Sequence, residues 1–166
     1  MTVAEKFAAE FRLEADMTRK FLERFPDEQP DWKPHEKSMT IGKLASHIVD
    51  MPNWAPTILD AEVFDFATSD YQVPSWRTKD ALLAGHEETR TTFLKALEDR
   101  SDDHLGVTWQ LRMGEQVISA MPRDAAIRHF ILSHSVHHRA QLGVYYRLLG
   151  IPVPGAYGPS ADDDWP

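Results

Sequence analysis

Four stretches of the chain repeat apolar residues at intervals of three and four, the spacing that gathers them on one face of an α-helix. The first runs from about Val3 to Phe25, with Phe7, Phe11, Thr18, Phe21 and Leu22 near one face, and Pro26 ends it. The second starts near Thr40, a residue suited to an N-cap, and its apolar face is Leu44, Ile48, Met51, Ala55 and Ile58. Pro52 and Pro56 fall inside that pattern. Each removes a backbone donor, so a kink or break is expected there. The third runs from about Thr78 to Leu97 along Leu82, His86, Thr89, Phe93 and Leu97. The fourth begins near Pro122, which a first turn tolerates, and stops before Gly150.

The connections are polar: Pro26 to Lys37, Thr68 to Trp76, and a charged exit from Glu98 to Asp103. Val107 to Arg112 and Glu115 to Ser119 alternate about Met113-Gly114, which predicts a short hairpin. The tail from Ile151 to Pro166 holds four prolines and two glycines and cannot be helical. Nothing repeats at a solenoid period. The expected fold is all-α, a four-helix bundle forming a single domain over residues 1–166, with at most a small hairpin between helices three and four.

The fourth helix carries the chemistry. His134 and His138 are four residues apart, so their rings stand on one face about 6 Å apart along the axis. Advancing about 100° per residue from His134 puts Ile127 and Tyr145 near +20°, Phe130 and Leu148 near −40°, and Ile131 and Leu149 near +60°. His134 and His138, at 0° and about +40°, straddle the centre of that apolar stripe, while His137 falls near its edge at about −60°. Both spacings suit a shared ion, and the first is the better placed. Burying two unpaired imidazoles is unfavourable, and a metal that uses both lone pairs removes the penalty. Gln141, near −20°, also faces inward, either as a group that orients a histidine or water or as a partner for a backbone carbonyl. His47 lies on the flank of the second helix's inner face and can close the set. His86 on the third helix is its competitor.

His35, His104 and His129 look solvated or lie outside the stripe, and the acidic runs Asp102-Asp103 and Asp162-Asp163-Asp164 look like solvated loops. Leu132, Val136, Ala140 and Gly143 cluster on the back of the fourth helix, as a homodimer interface would, unless a loop or the C-terminal tail covers them.

Composition narrows the field. The chain has 166 residues, no cysteine and a net charge of −8. Without thiols there is no disulfide and no protein thiolate ligand or nucleophile, so a metal needs nitrogen and oxygen donors. The acidity, with no basic cluster, argues against nucleic acid. No apolar run approaches the ~18 residues of a membrane span, and Met1 to Arg12 lacks a signal-peptide core, so no membrane association and a cytoplasmic location are expected.

Ser133-His134-Ser135-Val136-His137-His138-Arg139-Ala140-Gln141-Leu142 resembles the signature helix of the DinB-like (YfiT/DinB) metalloenzymes. Leu44 to Ile48 resembles their second-helix histidine segment, and Gly150 to Asp162 the tail of many members. Ala140 stands where a glycine is common, and Pro52 and Pro56 are unusual so soon after the histidine. The resemblance implies a four-helix bundle, often dimeric. It also implies a metal site of His47, His134 and His138 that holds nickel or zinc with positions open to water. It implies no DNA-directed activity.

Three histidines leave coordination positions open, the pattern of catalytic sites. One fitting chemistry is transfer or isomerisation dependent on a low-molecular-weight thiol, as in characterised proteins resembling this one. A second is hydrolysis by metal-activated water, with Asp50 as the nearby candidate base. A third possibility is a metal- or small-molecule-binding stress-response module without turnover.

Overall fold

A computed structural model describes residues 1–164. Its helices are α1 (Val3–Leu22), α2 (Ile41–Asp50), α3 (Trp54–Asp60), α4 (Lys79–Leu97), α5 (Asp102–Leu105), α6 (Arg123–Ile127) and α7 (His134–Leu148). Its strands are β1 (Val63–Asp65), β2 (Thr108–Met113) and β3 (Gln116–Pro122). The architecture is therefore mixed α/β, which corrects the all-α four-helix bundle that the helical patterns predict. The predicted hairpin exists as β2 and β3, and β1 adds to the far edge of β2 in parallel, giving a three-stranded sheet of order β1-β2-β3. A two-stranded ribbon is marginal alone, and a third strand together with helices packed on it makes a stable layer.

Local chemistry sets most boundaries. Thr2 caps α1 in a reciprocal capping box with Glu5, and the hydroxyls of Thr40 and Thr78 accept from Lys43 N and Ala81 N at the starts of α2 and α4. Pro52 does break the second helix: Met51–Asn53 tightens into a 3₁₀ turn and α3 resumes beyond it. Gly114, at φ +60°, starts the two-residue loop between β2 and β3, where a side chain would be strained. The buried Arg123 sends its guanidinium to the carbonyls of Ile58 and Ala61 at the C-terminal end of α3, both at 3.0 Å.

The core has two clusters. One joins Phe7, Phe11, Phe93, Trp109, Leu111 and Ile127 beneath the sheet, and the other joins Phe21, Leu22, Leu44, Ile48, Leu142 and Tyr146 at the opposite end. Each fully buried side chain of this kind contributes about 1.5–3 kcal/mol. Along the last helix, His134 and His138 stand between Ile131-Leu132 of the first cluster and Leu142 of the second.

Three further regions add detail to the sequence reading. The back face of the fourth helix is partly used within the chain: Leu132 is buried in the first cluster, and a Cβ on Gly143 would meet Phe21 at 3.2 Å and the tail's Val153 at 3.5 Å. His104 is half-buried, its Nε2 2.9 Å from the Leu59 carbonyl. The acidic runs have protein partners, since Asp102 accepts from Val3 N and Asp162 accepts from Arg147 and Val153 N. No helix among the described residues is long and apolar enough to cross a membrane.

Candidate metal centre

The sequence leading into α7 does not run as a continuous α-helix. Arg128–Ser133 is π-helical, one residue wider per turn, a feature that recurs at functional sites. Where the π segment gives way to α7, the backbone N–H of His134 turns to the Ile131 carbonyl, and the Phe130 carbonyl lies near enough to the His134 ring to favour its protonated form. One turn later, His138 Nδ1 lies 2.7 Å from Gln141 Oε1. Gln141 turns its amide nitrogen to His137 Nε2 at 3.1 Å, so its oxygen accepts and His138 Nδ1 carries the proton. His138 Nε2 is then a lone pair.

The two Nε2 atoms face each other at 2.8 Å. Two ring nitrogens thus converge on one place, an arrangement that a shared cation satisfies. His47, on the last full turn of α2 before the break, brings its ring centroid to 5.1 Å from that of His134 and 4.8 Å from that of His138. One ligand atom from each of the three lies within 4.8 Å of the others. The His47 ring makes no hydrogen bond among the described residues. This donor set fits a divalent cation, for which neutral imidazole is a common ligand.

The electrostatics agree. Burial is the chief cause that holds all three rings below the ordinary imidazole pKa. The neighbouring His138 adds to it for His47 and the neighbouring His47 for His134, while Asp50 opposes at His47 and the Gln141 bond opposes at His138. Neutral rings with free lone pairs at neutral pH are what metal binding requires. Truncating Gln141 to alanine is expected to weaken metal binding about 10–100-fold by releasing the His138 tautomer, checked by competition with a chelating dye. An unchanged affinity would reduce Gln141 to a surface partner of His137.

The other candidates take different places. His86 is 4% exposed, and its Nε2 donates to the Ala15 carbonyl at 3.0 Å, so it is a satisfied core residue. Burial keeps its pKa below the ordinary value. The unfolded chain protonates this histidine near pH ~6.5 and the folded chain only lower, so its contribution to stability is whole above that pH and is lost as pH falls through the folded pKa. His86→Gln, which keeps a donor but does not titrate, is expected to flatten the stability loss between about pH 7 and pH 5 in urea melts of metal-free protein. An unaltered slope would assign that loss to other groups.

Asp50 is 2% exposed and both its oxygens are taken, one by Asn53 Nδ2 at 2.9 Å and the other by the Tyr71 hydroxyl. That Tyr71 hydroxyl also accepts from Trp54 Nε1 at 3.1 Å. Burial first, then the bond to Asp50, raise the Tyr71 pKa. Tyr71 and Trp76 belong to the segment read as a polar loop, which is fastened across the site. Trp76 is tied through its backbone N–H and carbonyl to the Ser46 hydroxyl, both at 3.0 Å, and its ring fills the space left by Gly85. Two aromatics in an otherwise polar loop were the signal available for this role.

Known proteins place the chain. The uncharacterized protein YrdA of Bacillus subtilis (strain 168) is 29% identical to it over 161 residues, 97% of this chain and 91% of YrdA. The crystal structure of a DinB-like protein from Bacillus cereus ATCC 10987 matches at a TM-score of 0.71 and 26% identity, covering 92% of this chain and 97% of that one. A second DinB-like protein, YjoA of Bacillus subtilis, shares the fold at a TM-score of 0.67 with 18% identity, covering 89% of this chain and 96% of its own. A family model for the DinB family matches residues 1–164, nearly end to end, and the chain belongs to that family.

Proposed function

We propose that His47, His134 and His138 hold one divalent ion, nickel or zinc, and that the centre activates a low-molecular-weight thiol for transfer to an electrophilic small molecule. The observation that carries the metal is the convergence of the three rings, with the Nε2 atoms of His134 and His138 2.8 Å apart and the His138 Nδ1 proton committed to Gln141. A divalent ion on three neutral imidazoles keeps positions for an exogenous ligand and lowers that ligand's pKa, which is the chemistry it supplies when bound. The chain's own groups do the rest. Gln141 holds the His138 ring in its ligating tautomer. The segment fastened by Tyr71 and Trp76 screens the centre from bulk water.

The thiol reading is preferred to hydrolysis because of Asp50. A hydrolase needs a base beside the water, and Asp50, the carboxylate near His47 among the described residues, has both oxygens engaged in holding Asn53 and Tyr71. Asp50 thus acts as a positioning residue for the covering segment. A thiol nucleophile brings its own reactive atom, which suits a chain with no cysteine.

Glutathione, bacillithiol and mycothiol should be titrated into cobalt-substituted protein. One of them is expected to add an intense sulfur-to-metal charge-transfer band and to support metal-dependent consumption of a chromogenic electrophile. If no thiol alters the spectrum while an ester or amide is cleaved in a metal-dependent way, hydrolysis is the better reading. If neither occurs across a broad panel, the chain is a binding module.

A further inference from the structure

Two separate cavities open against the histidine cluster, and they differ in chemistry. The inner one, of about 280 Å³, is walled by Trp54, Phe66, Leu111 and Phe130, with His47 and His134 at one end. Apart from the histidine nitrogens at that end, its polar side-chain groups are committed: the Trp54 indole N–H donates to the Tyr71 hydroxyl, which in turn donates to Asp50. A polar group placed there would lose its hydration without compensation. An apolar ring would instead meet aromatic faces and edges. A cavity of about 150 Å³ takes a benzene molecule, so this one has room for two fused rings.

The outer cavity, of about 380 Å³, lies on the other side of His47 and includes Met39, Lys43, Gln72 and Ser75 in its lining. Lys43 stands one turn before His47 on α2, on the same side of the helix. Its ammonium makes no ion pair among the described residues. The neighbouring carboxylate of Asp31 is held by Arg77 at 2.6 Å. In a chain of net charge −8, this unpaired cation is what would admit an anion to the centre. His47 and Val73 line both cavities and form the partition between them.

We propose that the centre has two ligand subsites occupied at once: an inner one for an apolar, ring-bearing group and an outer one for a carboxylate-bearing molecule anchored by Lys43. The inference rests on the thiol reading only in assigning an anionic thiol to the outer subsite. It deepens that reading, because two organic ligands flanking one ion suit a transfer between them, whereas hydrolysis needs one ligand and water.

The probes are 1-fluoronaphthalene, followed by fluorine NMR, and glutathione, followed by calorimetry, each added to zinc-loaded protein. Both are expected to bind together, with the affinity of one changing less than about threefold when the other is saturating, as for independent sites. Lys43→Glu, at an exposed position, is expected to weaken glutathione at least about tenfold and to leave fluoronaphthalene unmoved. Leu111→Trp fills the inner cavity and is expected to abolish fluoronaphthalene binding. Because Leu111 is in the core, Val73→Trp on the exposed covering segment is the second variant, expected to weaken both probes. Mutual exclusion of the two probes would overturn the proposal, as would fluoronaphthalene binding indifferent to both tryptophan variants or glutathione binding indifferent to Lys43→Glu. The inner subsite is also measured in metal-free protein, where fluoronaphthalene should still bind. Its persistence, with no thiol altering the cobalt spectrum, would sink the thiol reading while upholding the apolar subsite.

Discussion

Replacing His138 by alanine is expected to strip the chain of its divalent ion, leaving His86→Ala fully loaded. His138 is the most enclosed of the three ligands, at 8% exposure, and the one whose tautomer a neighbouring side chain fixes. Its loss should weaken binding by more than the roughly 10–100-fold that removal of a supporting partner costs. Metal content by mass spectrometry after gel filtration checks this directly. Thermal melts give a second readout. A ligand present at about 100 times its Kd adds about 2.7 kcal/mol to the native state. In a domain of this size that corresponds to a rise in Tm of roughly 5–11 °C. Wild type should show that rise on adding zinc, and His138→Ala should show none. An ion retained by His138→Ala but lost from His86→Ala would move the site to α4.

The pairing of His134 with His138 was legible because four residues is close to one turn whatever surrounds the helix. The orientation of that helix was not. The helical wheel assumed an unbroken α-helix from Pro122 to Leu149, and the π segment at Arg128–Ser133 changes the angle between the residues before it and those after it. Beyond it the buried residues are His138, Arg139, Leu142, Gly143, Tyr145 and Tyr146, a face centred near Leu142, about 60° from the centre read off the sequence. Leu148, placed inside by the wheel, is 61% exposed. The same rotation puts His134 on the flank of the buried face, half-buried, where a cavity can reach it. A π turn follows from tertiary demands and leaves no residue signature, so periodicity could not find it.

The sheet was half legible. Alternation around Gly114 marks the hairpin, but Val63-Phe64-Asp65 is too short for any period. It becomes a strand because β2 has a free edge and because Asp65 accepts from Gly114 N and Ala67 N, both at 2.8 Å. The same residues start the segment that covers the centre, so the feature that made the fold mixed α/β also shapes the inner cavity. Helix caps and the break at Pro52 were legible because each depends on one residue's own backbone chemistry.

Arg139 shows the cost of the rotated face, and it carries the second large expectation. At about 100° per residue Arg139 falls about 140° from His134, outside the apolar stripe read from the sequence, yet it is 2% exposed. Its guanidinium bonds the Glu14 carboxylate at 2.6 Å, the Glu14 carbonyl at 3.0 Å and the Thr18 hydroxyl at 3.2 Å. Tyr157 of the tail donates to the same carboxylate at 2.7 Å, so α1, α7 and the C-terminal segment meet on one ion pair. Arg139→Met leaves the carboxylate without its cation in a largely enclosed place, and breaking a buried pair from one side costs about 3–5 kcal/mol. The expected fall in Tm is roughly 6–20 °C, measured by calorimetry on metal-free protein. Adding Glu14→Leu to Arg139→Met should recover much of that loss, because removing both charges also removes the desolvation penalty of burying them. Tyr157→Phe alone should cost only about 1 kcal/mol, since the carboxylate keeps its arginine. Although Arg139 follows His138 in the chain, it points toward α1, so the metal affinity of folded Arg139→Met should stay close to wild type. A variant that kept its melting temperature but lost its metal would assign Arg139 to the centre instead of to the frame that holds α7 in place.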